Sequence, residues 1–231
     1  MAKKKRKPEP PKKSNLTFIY AGIAVLIIAV LAIYLSAAPG NPGKLPAEGK
    51  FIKLDKPSTY EPGKVKITEF LKFNCGHCYA LNQQLPDIKQ KYGDKLEITY
   101  KPMLWRSVPG DVPFRKSIEA YILAERMGKG EEMKNALFNA EFVEKKDITS
   151  EIVLGDIGTS VGLGNDFIAA LNRGDAKDEA DADIALAESF QVDETPTVII
   201  NGNLKVNPSV TNEDMTAMTQ NLITVIGSLL G

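Results

Sequence analysis

A long charge-free run dominates the hydropathy pattern at the N-terminal end of the chain. Residues 14–43 contain no charged side chain, and every residue from Phe18 to Leu35 is apolar, Gly or Tyr. As a helix, residues 16–38 would reach about 35 Å, which exceeds the roughly 30 Å hydrocarbon core of a bilayer. The pattern therefore predicts one N-terminal transmembrane helix over residues 16–38.

The flanks of this run predict its orientation. Seven basic residues and one acid precede Asn15, which favours a basic cytoplasmic tail over residues 1–15 and an extracytoplasmic location for everything after residue 38. The small residues Ser36-Ala37-Ala38 leave a cleaved signal peptide open as an alternative. Pro39 directly after that cut, and an apolar stretch longer than a usual signal core, favour a retained signal anchor.

The pattern then changes to a linker and one folded domain. Residues 39–50 are rich in Pro and Gly, which neither continue a helix nor form a central strand, so they are interpreted as a tether. Residues 51–231 are enough for a single domain with a sizeable core. We find no internal repeat in them.

Alternating and helical patterns in residues 51–231 predict an α/β domain. Strands are predicted at 51–54 (edge), 64–73 (buried) and 96–100, with a helix over 79–92 that Pro86 is expected to kink. Strand, helix and strand in this order indicate a parallel βαβ unit. A helical segment follows over about 111–190, with Asp111 at its start, then strands at 196–201 and 204–206 joined by a turn at 201–203, and a last helix from about Thr211.

Composition and charge exclude several classes of function. Residues 15–231 contain 22 basic and 28 acidic residues, and such an acidic body argues against nucleic-acid binding. Two cysteines and one histidine in the whole chain exclude a disulfide scaffold and a multi-histidine metal centre. Zinc bound by Cys75, His77 and Cys78 is the remaining metal alternative, but the chain offers no fourth Cys or His ligand, so we expect no metal.

The predicted chemistry is concentrated at Cys75 and Cys78. Their C-x-x-C spacing follows a predicted strand, where a helix begins, and unpaired N–H groups at a helix N-terminus stabilise a thiolate. Cysteines three residues apart on a helix can bond or separate with little backbone movement. His77 between them could stabilise the Cys75 thiolate through charge or a hydrogen bond. Two structural cysteines buried as small apolar residues are the alternative, which this spacing and placement disfavour.

These residues resemble the DsbA-like thiol–disulfide oxidoreductases of the thioredoxin superfamily. The resemblance rests on the strand and motif TEFLKFNCGHC, on Thr195-Pro196-Thr197 before a strand, and on the helical insertion of about 111–190. It covers roughly residue 64 to the C-terminus. It implies a thioredoxin-like fold with an inserted helical segment, preceded here by one N-terminal transmembrane helix.

The resemblance also implies roles for individual residues. Thr195–Pro196 would be a cis peptide beside the cysteines, with Gly76, Thr195 and Pro196 contacting substrate; a trans proline opening a strand is the alternative. Glu69 resembles the family's buried acid that assists proton transfer beneath the second cysteine. The Gly76-His77 dipeptide, in contrast, looks like that of protein disulfide isomerases, whereas typical DsbA proteins have Pro-His there.

The sequence thus predicts a membrane-anchored, extracytoplasmic enzyme that donates the Cys75–Cys78 disulfide to folding proteins. A disulfide isomerase or reductase with the same site, for example in cytochrome maturation, is the alternative, and a non-catalytic chaperone module on the same fold is a more distant one. No cofactor is expected, because the electrons end on the cysteine pair. By resemblance, the re-oxidising partner would be a quinone-linked membrane protein of the DsbB or vitamin K epoxide reductase type.

Overall fold

The computed structural model describes residues 43–231. The predicted tail of residues 1–15 and the predicted span of residues 16–38 lie outside the described residues. Within residues 43–231, no helix is both long enough and apolar enough to cross a membrane.

A five-stranded mixed sheet forms the centre of the described domain. Its strands are β1 (Ile52–Lys53), β2 (Val65–Leu71), β3 (Leu96–Pro102), β4 (Thr197–Ile200) and β5 (Leu204–Val206), arranged in the order β1-β5-β4-β2-β3. The β2–β3 pair is parallel and the other three pairs are antiparallel. The predicted βαβ unit, the edge strand and the turn between the last two strands are therefore confirmed.

Seven α-helices complete the domain within the described residues. They are α1 (Gly76–Tyr92), α2 (Arg115–Arg126), α3 (Gly130–Phe142), α4 (Glu151–Ser160), α5 (Asn165–Arg173), α6 (Lys177–Ser189) and α7 (Met215–Leu230). Helices α2 to α6 form the predicted helical segment between β3 and β4. That segment is a set of five helices joined by turns, not one continuous helix.

Two predicted helix starts are wrong by several residues. Helix α1 begins at Gly76 rather than Tyr79, because Cys75 itself caps it. Helix α7 begins at Met215 rather than Thr211, because the Asp214 carboxylate accepts hydrogen bonds from the N–H groups of Thr216 and Ala217 and fixes the first turn there. Local capping decides both starts.

Alternation along β2 divides the core between the two faces of the sheet. Val65, Ile67 and Leu71 belong to a large apolar cluster that includes residues of α1 and of the helical segment, whereas Phe70 packs with a smaller cluster on the opposite side. Successive strand side chains point to opposite faces. Glu69, between Ile67 and Leu71, therefore faces the large cluster.

The second half of the predicted tether packs on the domain. The Lys44 ammonium donates a hydrogen bond to the carbonyl of Leu229 at 3.2 Å, and the N–H of Ala47 donates to the hydroxyl of Ser228 at 2.6 Å. The Lys50 N–H donates to the side-chain oxygen of Asn221 at 2.7 Å. Residues 44–50 are thus bound along α7.

Candidate active site

Cys75 lies at the N-terminus of α1, directly after the turn that follows β2. Its backbone is extended, and its Sγ accepts a hydrogen bond from the N–H of Cys78 at 3.3 Å. The sulfur thereby takes the place of the side-chain oxygen that usually caps a helix, satisfying one of the unpaired N–H groups of the first turn. The predicted position of Cys75 at a helix N-terminus is confirmed.

The surroundings of Cys75 favour its thiolate. The pKa of Cys75 is lowered from its ordinary value of 9.0 to about 6, mainly by a hydrogen bond from the Cys78 thiol. Partial burial opposes this shift, while the side chain of Thr195 and the N–H groups of Cys78 and His77 support it. A thiol with this pKa is mostly ionised at neutral pH and is therefore a ready nucleophile.

Cys78 has the opposite character. Its side chain is 0% exposed, and the N–H of Lys72 donates a hydrogen bond to its Sγ at 3.5 Å. Burial, followed by the hydrogen bond and the charge of Cys75, raises the pKa of Cys78 well above its ordinary value. Both cysteines are free thiols in this structure. The pair therefore consists of one accessible, acidic thiol and one enclosed, weakly acidic thiol.

The two residues between the cysteines lie at the surface. Gly76 and His77 are both exposed. The contact of His77 that lowers the pKa of Cys75 is made by its backbone N–H. The structure therefore brings the main chain of His77 to the thiolate, whereas the sequence had pointed to the imidazole.

The Thr195–Pro196 peptide bond is cis and lies beside the first cysteine, as the resemblance implied. The Cys75 thiol donates a hydrogen bond to the carbonyl oxygen of Thr195 at 3.2 Å, across 120 positions of sequence. This carbonyl favours the protonated thiol, whereas the Thr195 side chain favours the thiolate. The main chain of Thr195 is thus within contact distance of the sulfur where a substrate would bond.

Glu69 is a buried carboxyl on the α1 face of β2. Its side chain is 2% exposed, and its strand partners are Tyr100 on β3 and Val198 on β4. Burial raises the pKa of Glu69 to about 7, with the charge of Lys134 opposing the shift. The carboxyl also raises the pKa of Cys78. Glu69 therefore changes its protonation state near neutral pH and is electrostatically coupled to the buried cysteine.

A buried ion pair beside the cysteines was missed from the sequence. The Lys72 ammonium lies 2.6 Å from an oxygen of Asp111 and 4.1 Å from the ring centroid of Trp105. Asp111 was predicted to cap a helix, but its carboxylate instead accepts hydrogen bonds from Lys72 and from the N–H of Trp105. The sequence did contain a signal for this pair: Lys72 lies three residues before Cys75 and between the buried residues Leu71 and Phe73.

Comparisons with known proteins agree with this geometry. A family model described as the DSBA-like thioredoxin domain matches residues 66–222. The chain belongs to the DsbA-like thioredoxin domain family.

Two relatives of known name are distant from the chain in sequence. The chain is 24% identical over 190 residues to the thiol:disulfide interchange protein DsbA of Burkholderia cepacia, covering 80% of this chain and 87% of that protein. It is 27% identical over 184 residues to the protein of that name from Salmonella typhimurium, covering 78% and 82% of the two chains.

Solved structures show the same fold. The crystal structure of Pseudomonas aeruginosa DsbA superposes with a TM-score of 0.63 at 19% identity, covering 78% of this chain and 91% of that one. The oxidoreductase DsbA from Xylella fastidiosa gives a TM-score of 0.62 at 19% identity, covering 80% and 97%. As a member of the DsbA-like family, the chain is a thiol–disulfide oxidoreductase of the C-x-x-C type.

Proposed function

We propose that this DsbA-like protein is a membrane-anchored, extracytoplasmic donor of the Cys75–Cys78 disulfide to folding proteins. Its curated relatives are named thiol:disulfide interchange proteins. The observation that supports the proposal most is the opposed acidity of the two cysteines, since the pKa of Cys75 is lowered to about 6 and that of Cys78 is raised.

The proposed reaction begins on the oxidised protein. A substrate thiolate attacks Cys75 Sγ, the Cys75–Cys78 bond breaks, and Cys78 leaves as a thiolate that takes up a proton. A second substrate thiolate then attacks the substrate sulfur of the mixed disulfide and releases Cys75 as a thiolate. Two electrons pass from the two substrate thiols to the cysteine pair, and the substrate gains one disulfide.

The acidity of Cys75 favours this direction of electron flow. At pH 7, a pKa of about 6 instead of 9.0 stabilises the reduced protein by about 1.4 kcal/mol, equivalent to about 30 mV for two electrons. Stabilising the reduced form makes the disulfide easier to reduce and the protein a stronger oxidant. The half-buried Cys75, beside the cis Thr195–Pro196 peptide and the exposed Gly76-His77 dipeptide, suits attack by an incoming polypeptide.

An isomerase is the second candidate, because the exposed Gly76-His77 dipeptide resembles that of disulfide isomerases. The reduction potential of the Cys75–Cys78 pair, measured by equilibration with glutathione, separates donation from reduction. We expect a value less negative than about −220 mV, whereas a value at or below about −270 mV would assign a reductase. Two ribonuclease assays separate isomerisation from donation. Reactivation of scrambled ribonuclease requires isomerisation, whereas reactivation of reduced ribonuclease requires donation of disulfides.

The proposed anchor and location are supported by the charge-free run of residues 14–43 and its basic flank. N-terminal sequencing of protein extracted from membranes should find residues 1–38 retained, and protease added to intact cells stripped of any outer envelope should digest the catalytic domain. A mature chain that begins near Pro39 would exclude the anchor. The proposed quinone-linked re-oxidase predicts that quinone depletion leaves the Cys75–Cys78 pair reduced in membranes.

A further inference from the structure

Lys134 is a fully buried lysine that the exchange reaction described above does not use. It lies on α3 in the helical segment, and its side chain is 1% exposed. Its Nζ is 3.0 Å from Glu131 Oε1 and 3.8 Å from the ring centroid of Tyr100. Burying an ammonium costs free energy even when it has a carboxylate partner, so its burial here calls for an explanation.

The ammonium of Lys134 lies on the same side of the sheet as Glu69. Tyr100, whose ring it faces, is the register partner of Glu69 across the β2–β3 pair. Lys134 is the group that most strongly favours the ionised form of Glu69, and Glu69 in turn favours the ionised form of Lys134. The buried Glu69 carboxyl and the buried Lys134 ammonium thus favour each other's charged forms, at the place where the helical segment contacts Tyr100 of β3.

We propose that Lys134 is a positioning residue, supplied by the helical segment, that keeps the Glu69 carboxylate available to accept the proton of Cys78. This inference rests on the proposed exchange reaction and on the proposed role of Glu69 in it. It gives the helical segment a part in the redox step itself, and it explains why a lysine is buried there at such a cost.

The proton step concerns the resolution of a mixed disulfide. Cys78 loses its proton to the Glu69 carboxylate, and its thiolate attacks Cys75 Sγ in the Cys75–substrate disulfide. The Cys75–Cys78 bond forms, the bond to the substrate sulfur breaks, and the substrate leaves as a thiolate. In the donating direction the same proton returns from the Glu69 carboxylic acid to the Cys78 thiolate.

Several other charged or titratable groups face this pair. Glu131 lies 2.7 Å from Lys89 as well as near Lys134, and both Glu131 and Lys89 reach the protein surface. Glu131 raises the pKa of Glu69 and Lys89 lowers it. The other neighbours are Cys75, Cys78 on α1 and Tyr100 on β3, with Tyr121 of α2 next to Tyr100.

Two variants of Lys134 and one control test the inference in the full-length protein. Lys134→Met removes the buried charge and keeps an unbranched side chain, and Lys129→Met is the control, since Lys129 is an exposed lysine paired with Glu132. Lys134→Gln also removes the charge but keeps a polar end to the side chain.

The measurement follows one turnover of the reduced protein with oxidised glutathione between pH 5 and 9. Samples are quenched with acid, and intact-protein mass spectrometry records the mixed disulfide as it forms and decays. Formation depends on glutathione concentration and reports attack by Cys75, whereas decay is independent of it and reports resolution by Cys78. If oxidised glutathione leaves the cysteine pair of wild type reduced, the proposed function fails; the Lys134 inference is decided by the decay phase alone.

We expect Lys134→Met to slow the decay phase about fivefold at pH 7 and to move its midpoint up by about one pH unit, with the formation phase unchanged. Lys134→Gln should behave in the same way as Lys134→Met, and Lys129→Met should match wild type. In a Glu69→Gln background, Lys134→Met should add no further slowing. Lys134→Arg, which keeps the charge, should restore the wild-type profile.

The inference is overturned if Lys134→Met decays with the wild-type pH profile, or if it slows decay equally with and without Glu69. Should Lys134→Met fail to fold, as judged by circular dichroism, Lys134→Gln decides by the same two criteria.

Discussion

Removal of the Cys78 thiol should raise the pKa of Cys75, because the hydrogen bond from that thiol is the largest cause of the lowered value. A shift from 9.0 to about 6 corresponds to about 4 kcal/mol of preference for the thiolate. A hydrogen bond to a charged group contributes about 1.5–3 kcal/mol, and S–H is a weak donor, which places this contact at the lower end. Cys78→Ala is therefore expected to raise the pKa of Cys75 by about one unit, to about 7.

The thiolate absorbance at 240 nm measures this shift directly. In the wild type only Cys75 titrates below pH 9, since the pKa of Cys78 is raised well above that range. At pH 6.5 the rate of alkylation by iodoacetamide should fall about threefold in Cys78→Ala, in proportion to the thiolate fraction.

Cys78→Ser is the matched control, because its hydroxyl keeps a donor at the same position. Its Cys75 should titrate close to the wild-type value. If Cys75 has the wild-type pKa in both the alanine and the serine variant, the contact between the two side chains does not set the acidity of Cys75. The argument from the structure is then refuted.

Two further predictions concern stability. Because the pKa of Glu69 is raised from 4.5 to about 7 in the native state, its contribution to stability is lost as the pH rises through this window. Urea unfolding should therefore show Glu69→Gln to be more stable than wild type by about 3 kcal/mol at pH 8 and by less than about 1 kcal/mol at pH 5. Gly158→Ala should cost about 1–3 kcal/mol in thermal unfolding, since its Cβ would meet the ring of fully buried Phe167 at 2.3 Å. Gly155→Ala on the same helix, whose Cβ would meet Ile168 at 3.7 Å, should be neutral or stabilising, and equal losses in both would contradict the packing argument.

Features that depend on short stretches of chain could be predicted from the sequence. The strand, the C-x-x-C motif and the following helix are adjacent in sequence, so the N-terminal position of Cys75 on α1 follows from local pattern alone. The turn at residues 201–203 has positive φ angles at Asn201 and Gly202, a conformation that these residue types adopt at little cost. The helix boundaries were less accurate, because capping by Cys75 and Asp214 overrides periodicity.

The partners of the charged residues were decided only by the tertiary structure. Lys72 and Asp111 are 39 positions apart, and nothing in the local pattern around Asp111 distinguishes a helix cap from the partner of a buried lysine. Lys134 follows the buried Met133 on α3, where periodicity alone would leave it at the edge of the apolar stripe. Its burial arises because α3 packs between α1 and α2, which encloses the Lys134 side chain and leaves its ammonium over the ring of Tyr100.

The sequence by itself therefore determined which sulfur chemistry this protein has, since two cysteines at one strand–helix junction leave a single redox-active pair. Only the tertiary structure decided how acidic each sulfur is and which groups share its protons. The physical reason is that a pKa depends on burial and on charges within a few ångströms. Here Thr195 acts on Cys75, Glu69 acts on Cys78, and Lys134 and Glu131 of α3 act on Glu69; folding alone brings Thr195 and α3 to these positions.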